Sequence, residues 1–247
     1  MRSDDGTIGR VLTRREALAL LGAGGLAALG ASRPAAAAAP AGACVVRPAL
    51  TEGPYFVDAR LERSDIRSDP ADGALRPGAP LRLALRVSRL SAGACAPLPG
   101  AMVDVWHCDA AGVYSDAADP GGSTVGRKFL RGYQTTGADG LVGFTTIYPG
   151  AYPGRAVHIH FKVRTGGGGG RAHEFTSQLF FDDALTDQVH ARPPYAGGAR
   201  RMRNGRDGIY REAGAQLILA VAPSGDGYVG AFEIGRASCR ERVCLLV

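Results

Sequence analysis

Short stretches in which apolar and polar residues alternate recur along most of this chain and constrain its fold more than any other feature. In residues 81–87, Leu and Val alternate with Arg and Ala, which is the two-residue period of a half-buried β-strand. Similar stretches lie at residues 102–107, 141–147, 157–164, 175–181, 216–222 and 228–234. About seven strands separated by Gly, Pro and Asp turns predict an all-β fold, a single antiparallel β-sandwich with long loops over residues 44–235. The irregular stretch at 199–210 could hold a turn of helix.

Residues 1–43 have the pattern of a cleavable export signal. Arg14 and Arg15 precede an uncharged run rich in Ala, Gly and Leu at residues 17–30, and small residues follow at 35–43. The run is too short to span a membrane, and the paired arginines predict a twin-arginine signal. An ordinary secretory signal and an amphipathic helix are the alternatives. We therefore expect export to the periplasm or the extracellular space, with no stable membrane anchor.

The net charge of the chain says little about its partners. The formal charge is +6, of which residues 1–39 and residues 236–247 each contribute +2. The remaining +2 leaves no basic stripe for a phosphate backbone, so the sequence does not support nucleic-acid binding. Residues 236–247, which follow the last predicted strand, are expected to be a disordered tail.

The cysteines of the predicted domain are isolated from one another. Cys44, Cys95 and Cys108 form no Cys-x-x-Cys pair, which argues against a zinc or iron–sulfur site. In an oxidising compartment one disulfide is expected, and all three pairings stay open.

The most informative local pattern is the stretch at residues 157–163. On a strand, His158 and His160 share one face with Lys162, while the apolar residues between them share the other. Two imidazoles on one strand face can converge on a metal ion, although two surface histidines would give the same pattern. The turn-rich residues 149–155 precede them and can bring Tyr152 and Arg155 to the same face.

The other histidines fit structural explanations. His107 lies on a strand beside a tryptophan and is interpreted as a structural hydrogen-bonding group. His173 and His190 are predicted to be solvated in loops, and Asp182 and Asp183 are predicted to be turn residues after a strand.

Six segments of the chain, in order, resemble the intradiol ring-cleavage dioxygenases, the family of protocatechuate 3,4-dioxygenase and catechol 1,2-dioxygenase. They are the Thr-Glu-Gly-Pro-Tyr-Phe segment at 51–56, residues 103–114, 129–132, 146–153, the His-Ile-His segment at 158–160, and 176–181. The segments extend over most of residues 44–235. The order of all six makes the resemblance specific, although each segment alone is weak.

The resemblance implies one non-haem Fe(III) per chain, bound by two tyrosines and two histidines. The implied ligands are Tyr114, Tyr152, His158 and His160. Tyr152 takes the position of the family's axial ligand and shares in catalysis with Arg155 and Gln178. Gly53, Pro54 and Tyr55 match a stretch that lines the family's substrate pocket.

This ligand set suits the implied chemistry. Phenolate oxygens are hard anionic donors, and only a strongly charged metal keeps a tyrosine ionised at neutral pH. The resemblance implies that catechol-type rings are cleaved with O2 between the two hydroxylated carbons, giving cis,cis-muconate-type diacids. One alternative is a non-catalytic exported β-sandwich that binds aromatic or carbohydrate ligands. A copper or zinc site at His158 and His160 is another, and the ring substituents and the oligomeric state stay open.

Overall fold

Two β-sheets make up most of the structure. The computed structural model describes residues 46–91, 94–119, 122–166, 173–195 and 201–237, so the predicted export signal and the residues after Ala237 lie outside it. The first sheet contains β1 (Pro80–Ser91), β2 (Ala94–Pro97), β7 (Leu141–Ile147), β10 (Ala220–Ser224) and β11 (Gly227–Ala237). The second contains β3 (Met102–Trp106), β6 (Arg131–Thr135), β8 (His158–Thr165) and β9 (His173–Phe180). A small ribbon pairs β4 (Ala118–Asp119) with β5 (Gly122–Ser123).

The fold is mostly β with two sheets, as the alternation predicts, but the pairing is mixed. The central strand β1 pairs antiparallel with β2 and β7 and parallel with β11, from Leu81 beside Tyr228 to Leu90 beside Ala237. The prediction of a purely antiparallel sandwich is therefore wrong for this pair. Alternation shows which face of a strand is buried, whereas the direction of its neighbour depends on how the chain returns to the sheet.

The main hydrophobic core lies between the two sheets. The first sheet contributes the alternating residues of β1, all of which are buried as predicted. The opposite sheet contributes the inward-facing residues of β3 and β8, which are Val103, Val105, Ile159, Phe161 and Val163. Burial of these branched and aromatic side chains is the main favourable term in the folding of such a domain.

A second, smaller apolar cluster covers the outer face of the second sheet. Its buried members are Trp106, Cys108, Tyr114 and Ala117, and Tyr55, Phe56 and Tyr152 pack against them. Long loops supply most of these residues. Because the loops cover the sheet here, the outward-facing histidines of β8 are buried as well.

Two short helices lie near the C-terminal end of the described chain. The first, α1 (Asp183–His190), begins at Asp182, whose side chain accepts a hydrogen bond from the Leu185 amide at 2.9 Å. Asp182 and Asp183 are thus a helix start, and their prediction as turn residues is wrong. The second helix is α2 (Gly208–Ala213), preceded by a 3₁₀ turn at Asn204–Arg206, so residues 199–210 do contain helical turns.

The structural predictions for the remaining histidines have different outcomes. His107 is buried, donates from Nδ1 to the Cys108 carbonyl at 2.8 Å and contacts the Thr146 hydroxyl through Nε2 at 2.7 Å, which confirms its structural role. His190 is buried in α1 against the Pro149 carbonyl, and His173 lies in β9. The loop assignment of both is therefore wrong.

Strand ends and cysteines refine the sequence prediction further. β10 begins at Ala220 because residues 214–217 form a 3₁₀ turn, and β11 continues two residues past the predicted domain end at 235. Cys95 is disulfide-bonded, whereas Cys108 is a buried free thiol. The disulfide pairings that involve Cys108 are thus excluded.

Within the described ranges, no helix has the length and apolar character to cross a membrane.

Candidate metal centre and active site

Two histidines of β8 form the base of the site. Strand alternation places His158 and His160 on the outer face of the second sheet, where their Nε2 atoms lie 3.0 Å apart and both rings are buried. The Nδ1–H of His158 donates to the Ala156 carbonyl at 2.6 Å. Its Nε2 therefore carries the free lone pair and faces the site.

Two tyrosines approach these histidines from the loops. The Tyr152 hydroxyl lies 3.4 Å from His158 Nε2. The Tyr114 ring is 5.5 Å from the Tyr152 ring and 6.3 Å from the His160 ring, centroid to centroid. The Tyr114 side chain is buried, and its hydroxyl has no hydrogen-bond partner among the described residues. A buried hydroxyl left in this way is costly, and together with the neighbouring Tyr152 and His160 rings it makes Tyr114 a candidate ligand.

Two glycines allow the loops that carry the tyrosines to pack together. A Cβ on Gly112, whose φ is +86°, would come within 2.4 Å of the Ala151 carbonyl oxygen. A Cβ on Gly150 would come equally close to the Asp109 carbonyl oxygen, at 2.4 Å. Only glycine permits such close backbone approach. These contacts hold residues 109–114 against the turn that presents Tyr152.

Burial sets the protonation of the four side chains. Desolvation raises the pKa of Tyr152 to about 12, against the opposing charge of Arg155, and raises that of Tyr114 well above its usual value. It lowers the pKa of His158 to about 3 and that of His160 well below its usual value. The imidazoles are thus neutral and ready to bind a metal, whereas the phenols need a strongly charged cation to ionise.

The donor set fits a hard trivalent ion. No group of three or more His, Cys, Asp or Glu side chains suited to a metal is found in the described part of the chain. Tyr114 and Tyr152, whose rings lie against these histidines, can supply two further oxygen donors. Phenolate and imidazole without thiolate suit iron(III) better than softer metals.

Arg155 and Gln178 lie beside this centre in a fixed arrangement. The Arg155 guanidinium donates from Nη2 to Gln178 Oε1 at 2.5 Å, and its Nη1 lies 3.5 Å from the Tyr152 hydroxyl. Gln178 is buried and donates from Nε2 to the Thr51 carbonyl at 2.8 Å. Both groups predicted to assist catalysis thus lie at the site with their polar atoms oriented.

Residues 51–58, which we call the strap, pass over the site. The Tyr55 ring stacks on Tyr114 with centroids 4.2 Å apart and meets the Tyr152 ring edge-on at 6.2 Å. Gly53 adopts φ +72°, and a Cβ there would lie 3.4 Å from His160 Cε1. Pro54 lies between them and is exposed. The three residues predicted to line a pocket therefore lie at the site, with Gly53 and Tyr55 against the candidate ligands.

Two further residues belong to the site and were not singled out from the sequence. The Trp106 ring stacks on His160 at 4.9 Å with an interplanar angle of 8°, and Asp207 forms an ion pair with Arg155 at 2.9 Å. Trp106 could have been found from its place on the strand paired with β8. One sequence signal could have indicated Asp207: aspartate often caps the start of a helix, and it directly precedes residues 208–213.

Comparison with known proteins identifies the class of this chain. A dioxygenase family model matches residues 51–192. The chain is similar to an intradiol ring-cleavage dioxygenase from Tetranychus urticae, at 32% identity over 78% of this chain and 94% of that one, with a TM-score of 0.68. It is also similar to the dioxygenase domain of a dioxygenase–carbohydrate-binding fusion from Streptomyces sp. SirexAA-E, at 29% identity over 78% and 100% of the two chains, with a TM-score of 0.56.

A more distant comparison supports the fold alone. The 3-chlorocatechol 1,2-dioxygenase of Rhodococcus opacus 1CP matches at 20% identity over 77% of this chain and 72% of that one, with a TM-score of 0.55.

The chain belongs to the intradiol ring-cleavage dioxygenase family, as the ordered segments of its sequence indicate. It is therefore an enzyme of the ring-cleavage oxidoreductase class. The family depends on non-haem iron and acts on catechol-type substrates with O2.

Proposed function

We propose that this chain is a non-haem Fe(III)-dependent dioxygenase. It cleaves catechol-type rings between the two hydroxylated carbons with O2 and gives cis,cis-muconate-type diacids. The observation that carries the proposal is the cluster of two tyrosines and two histidines. The two imidazole Nε2 atoms lie 3.0 Å apart, the Tyr152 hydroxyl lies 3.4 Å from His158 Nε2, and the buried Tyr114 ring lies 5.5 Å from the Tyr152 ring, centroid to centroid. Family membership supports it independently.

The proposed ligands of one iron per chain are Tyr114, Tyr152, His158 and His160. Bound Fe(III) would supply the Lewis acidity that ionises the phenols and the catechol and the electronic coupling that makes the ring reactive toward O2. The protein keeps the imidazoles neutral by burial and holds the His158 ring through Ala156. Trp106 fixes the plane of the His160 ring by stacking.

The two tyrosines have different surroundings, which supports different roles. Tyr114 is 1% exposed and covered by the Tyr55 ring, so we assign it the role of a permanent ligand. Tyr152 is only half-buried and lies near the Arg155 guanidinium. We assign to the Tyr152 oxygen the uptake of a catechol proton when substrate binds, because the residue is partly exposed and the charge of the nearby guanidinium favours its phenolate.

Arg155 and Gln178 orient the substrate and stabilise its charge. The guanidinium lies beside the ligand set with its charge already oriented, which suits stabilisation of an anion that develops on the opened ring. Gln178 cannot flip its amide without losing bonds at both ends, to Arg155 and to Thr51. The pair therefore presents a constant polar edge to the bound catechol.

Product analysis tests this function directly. The iron-loaded protein is mixed with catechol and O2, and the product is identified by chromatography and mass spectrometry. We expect a muconate-type diacid that contains both atoms of labelled O2. The His160→Ala variant should lose iron and activity together, whereas His173→Ala, at the far end of β9, should retain both. Full activity of iron-free protein, or cleavage outside the two hydroxylated carbons, would contradict the proposal.

We also propose export by the twin-arginine route to the periplasm or the extracellular space. Arg14, Arg15 and the uncharged run at 17–30 support it. Replacing both arginines with lysine in the full chain should retain the protein in the cytoplasm, whereas replacing Arg2 and Arg10 with lysine should not. Unchanged export of the Arg14 and Arg15 variant would argue for the ordinary secretory route.

A further inference from the structure

Asp207 lies at the start of α2, outside the residues that the family model matches. Its side chain is 1% exposed. Oδ2 accepts from Arg155 Nε at 2.9 Å and from the Ala156 amide at 2.7 Å. Oδ1 accepts from the Ile209 amide at 2.8 Å and the Tyr210 amide at 3.2 Å. One oxygen thus faces the candidate site and the other caps the helix.

The bond to Nε decides where the rest of the guanidinium points. A guanidinium is planar and its donors form a rigid fork, so fixing Nε also fixes the directions of Nη1 and Nη2. In that orientation Nη1 lies near the Tyr152 hydroxyl and Nη2 donates to Gln178. Without an acceptor at Nε, the Arg155 head could rotate away from both partners.

The anchoring of Asp207 makes it a stiff support. Its two bonds to the helix amides tie it to α2, and its bond to the Ala156 amide ties it to a residue just before β8. The carboxylate is therefore held from both sides before it meets Arg155. A buried ion pair with this many additional hydrogen bonds has well-satisfied polar groups.

We infer that Asp207 is a positioning residue for the ring-cleavage reaction, which holds the Arg155 guanidinium aimed at Gln178 and Tyr152. The inference rests on the proposed function, in which Arg155 stabilises charge on the substrate. The side-chain hydrogen bonds of Asp207 go to Arg155 and to backbone amides, not to the candidate metal ligands.

The test variant is Asp207→Asn, and the matched control is Asp182→Asn. Asparagine caps helices about as well as aspartate, so both helices should persist. The amide of Asn at position 207, however, is uncharged and has a single acceptor oxygen, which cannot both cap α2 and accept from Arg155. Asp182 caps α1 and lies outside the candidate site. We expect Asp207→Asn to lower kcat/KM for catechol about tenfold or more at unchanged iron content, and Asp182→Asn to match the wild type. Asp207→Ser, which keeps a capping oxygen, replaces Asp207→Asn if the latter does not fold.

A double variant separates positioning from a general structural role. In an Arg155→Lys background, which keeps the positive charge but lacks the fork, Asp207→Asn should lower kcat/KM by less than about twofold further. The same loss in both backgrounds would overturn the inference. So would an unchanged kcat/KM for Asp207→Asn in the otherwise wild-type protein.

A spectroscopic measurement needs no turnover. In protein loaded with diamagnetic Ga(III), the Nε–H of Arg155 should give a nitrogen–proton NMR signal protected from exchange in the wild type and in Asp182→Asn. We expect protection to fall at least about tenfold in Asp207→Asn; equal protection would overturn the inference. Failure of the proposed function would differ, since the wild-type protein itself would then open no catechol ring.

Discussion

The hydroxyl of Tyr114 lies in an aromatic enclosure that satisfies every part of the side chain except its oxygen, as far as the described residues extend. Tyr55 covers one ring face, and Tyr152 meets the ring nearly at a right angle. An unsatisfied buried hydroxyl typically costs about 1–3 kcal/mol. Burial of this hydroxyl therefore has a free-energy cost that a metal at the oxygen would remove. This cost distinguishes a metal ligand from a tyrosine that only packs.

Replacing Tyr114 with Phe tests whether Tyr114 is a metal ligand or only a packing residue. In iron-free protein we expect the free energy of unfolding to be unchanged or to rise by up to about 1 kcal/mol, because the variant removes an unpaired buried group. Iron affinity should fall at least about tenfold, since one of four ligands is lost. The control is Tyr148→Phe, which removes a bond to the Thr186 hydroxyl and should cost about 1 kcal/mol with iron affinity intact. Denaturant unfolding and iron titration measure both, and equal iron affinity in the two variants would contradict the ligand role.

His107 gives a prediction for acid stability. Burial lowers its pKa to about 4 from 6.5, so between these values the unfolded chain binds a proton that the folded chain does not. Stability therefore falls as the pH drops through that window, by up to about 1.4 kcal/mol per pH unit for one proton. The His107→Gln variant should bind about one proton fewer on unfolding between pH 4 and 6.5. An unchanged slope of unfolding free energy against pH, measured in iron-free protein, would disagree with a buried neutral His107.

At the scale of elements, β8 organises the site along one face. After His158 and His160, the same face continues with Lys162 and Arg164, which bind the strap. Lys162 pairs with Glu52, and its Nζ lies 4.0 Å from the centroid of the Phe56 ring. Arg164 pairs with Asp58 at 3.1 Å and with Asp104 at 2.7 Å. One strand thus presents the histidines and holds the segment that covers them.

Loosening the strap should affect substrate binding more than iron binding. The Lys162→Met variant keeps the apolar stem but loses the ion pairs to Glu52 and, at 3.3 Å, to Glu174 of β9, and both carboxylates are exposed enough to be solvated. We expect the KM for catechol to rise about threefold or more, at unchanged iron content. The control is Arg86→Met on the other sheet, where Arg86 pairs with Glu233 at 3.2 Å, and its KM should not change. Loss of iron from Lys162→Met alone would show that the strap serves the metal instead.

Whether a feature could be predicted from the sequence depends on how far apart its interacting residues lie along the chain. The face shared by His158 and His160 is local, because alternation within one strand determines it. The turn-rich residues before the histidines indicated that Tyr152 could reach the same face. Tyr114 came only through the resemblance, since nothing near it in sequence indicates that two loops meet. Asp207 was missed because its partner Arg155 is 52 positions away.

The missed helix and the parallel strand pair have similar causes. The helix α1 has only eight residues, too few for a clear helical period, and its capping Asp182 has the composition of a turn. The parallel partner of β1 is set by the path of the chain through both helices, which strand patterns do not encode.

At the scale of the whole molecule, the site lies outside the main core. The main cluster packs between the two sheets, whereas the site residues form a separate cluster on the outer face of the second sheet. The hydrophobic burial that supports the sandwich therefore does not depend on a bound ion. This arrangement differs from small zinc domains, in which metal binding and folding are a single event.

Removal of iron should consequently leave the sandwich folded. After chelation we expect the far-ultraviolet circular dichroism spectrum to persist and Tm to fall, because a ligand that binds only the folded state stabilises it. Addition of Fe(III) should restore Tm. Loss of the β spectrum on chelation would contradict an independent core.

The most direct test of the four-ligand centre is a visible absorption spectrum of the purified protein with iron analysis, before and after anaerobic addition of catechol. The structure predicts about one iron per chain, a broad band from tyrosinate bound to Fe(III), and a shift of that band when catechol binds. A protein that stays colourless after iron loading would contradict the centre, and a band that catechol does not shift would contradict direct binding of the substrate to the iron.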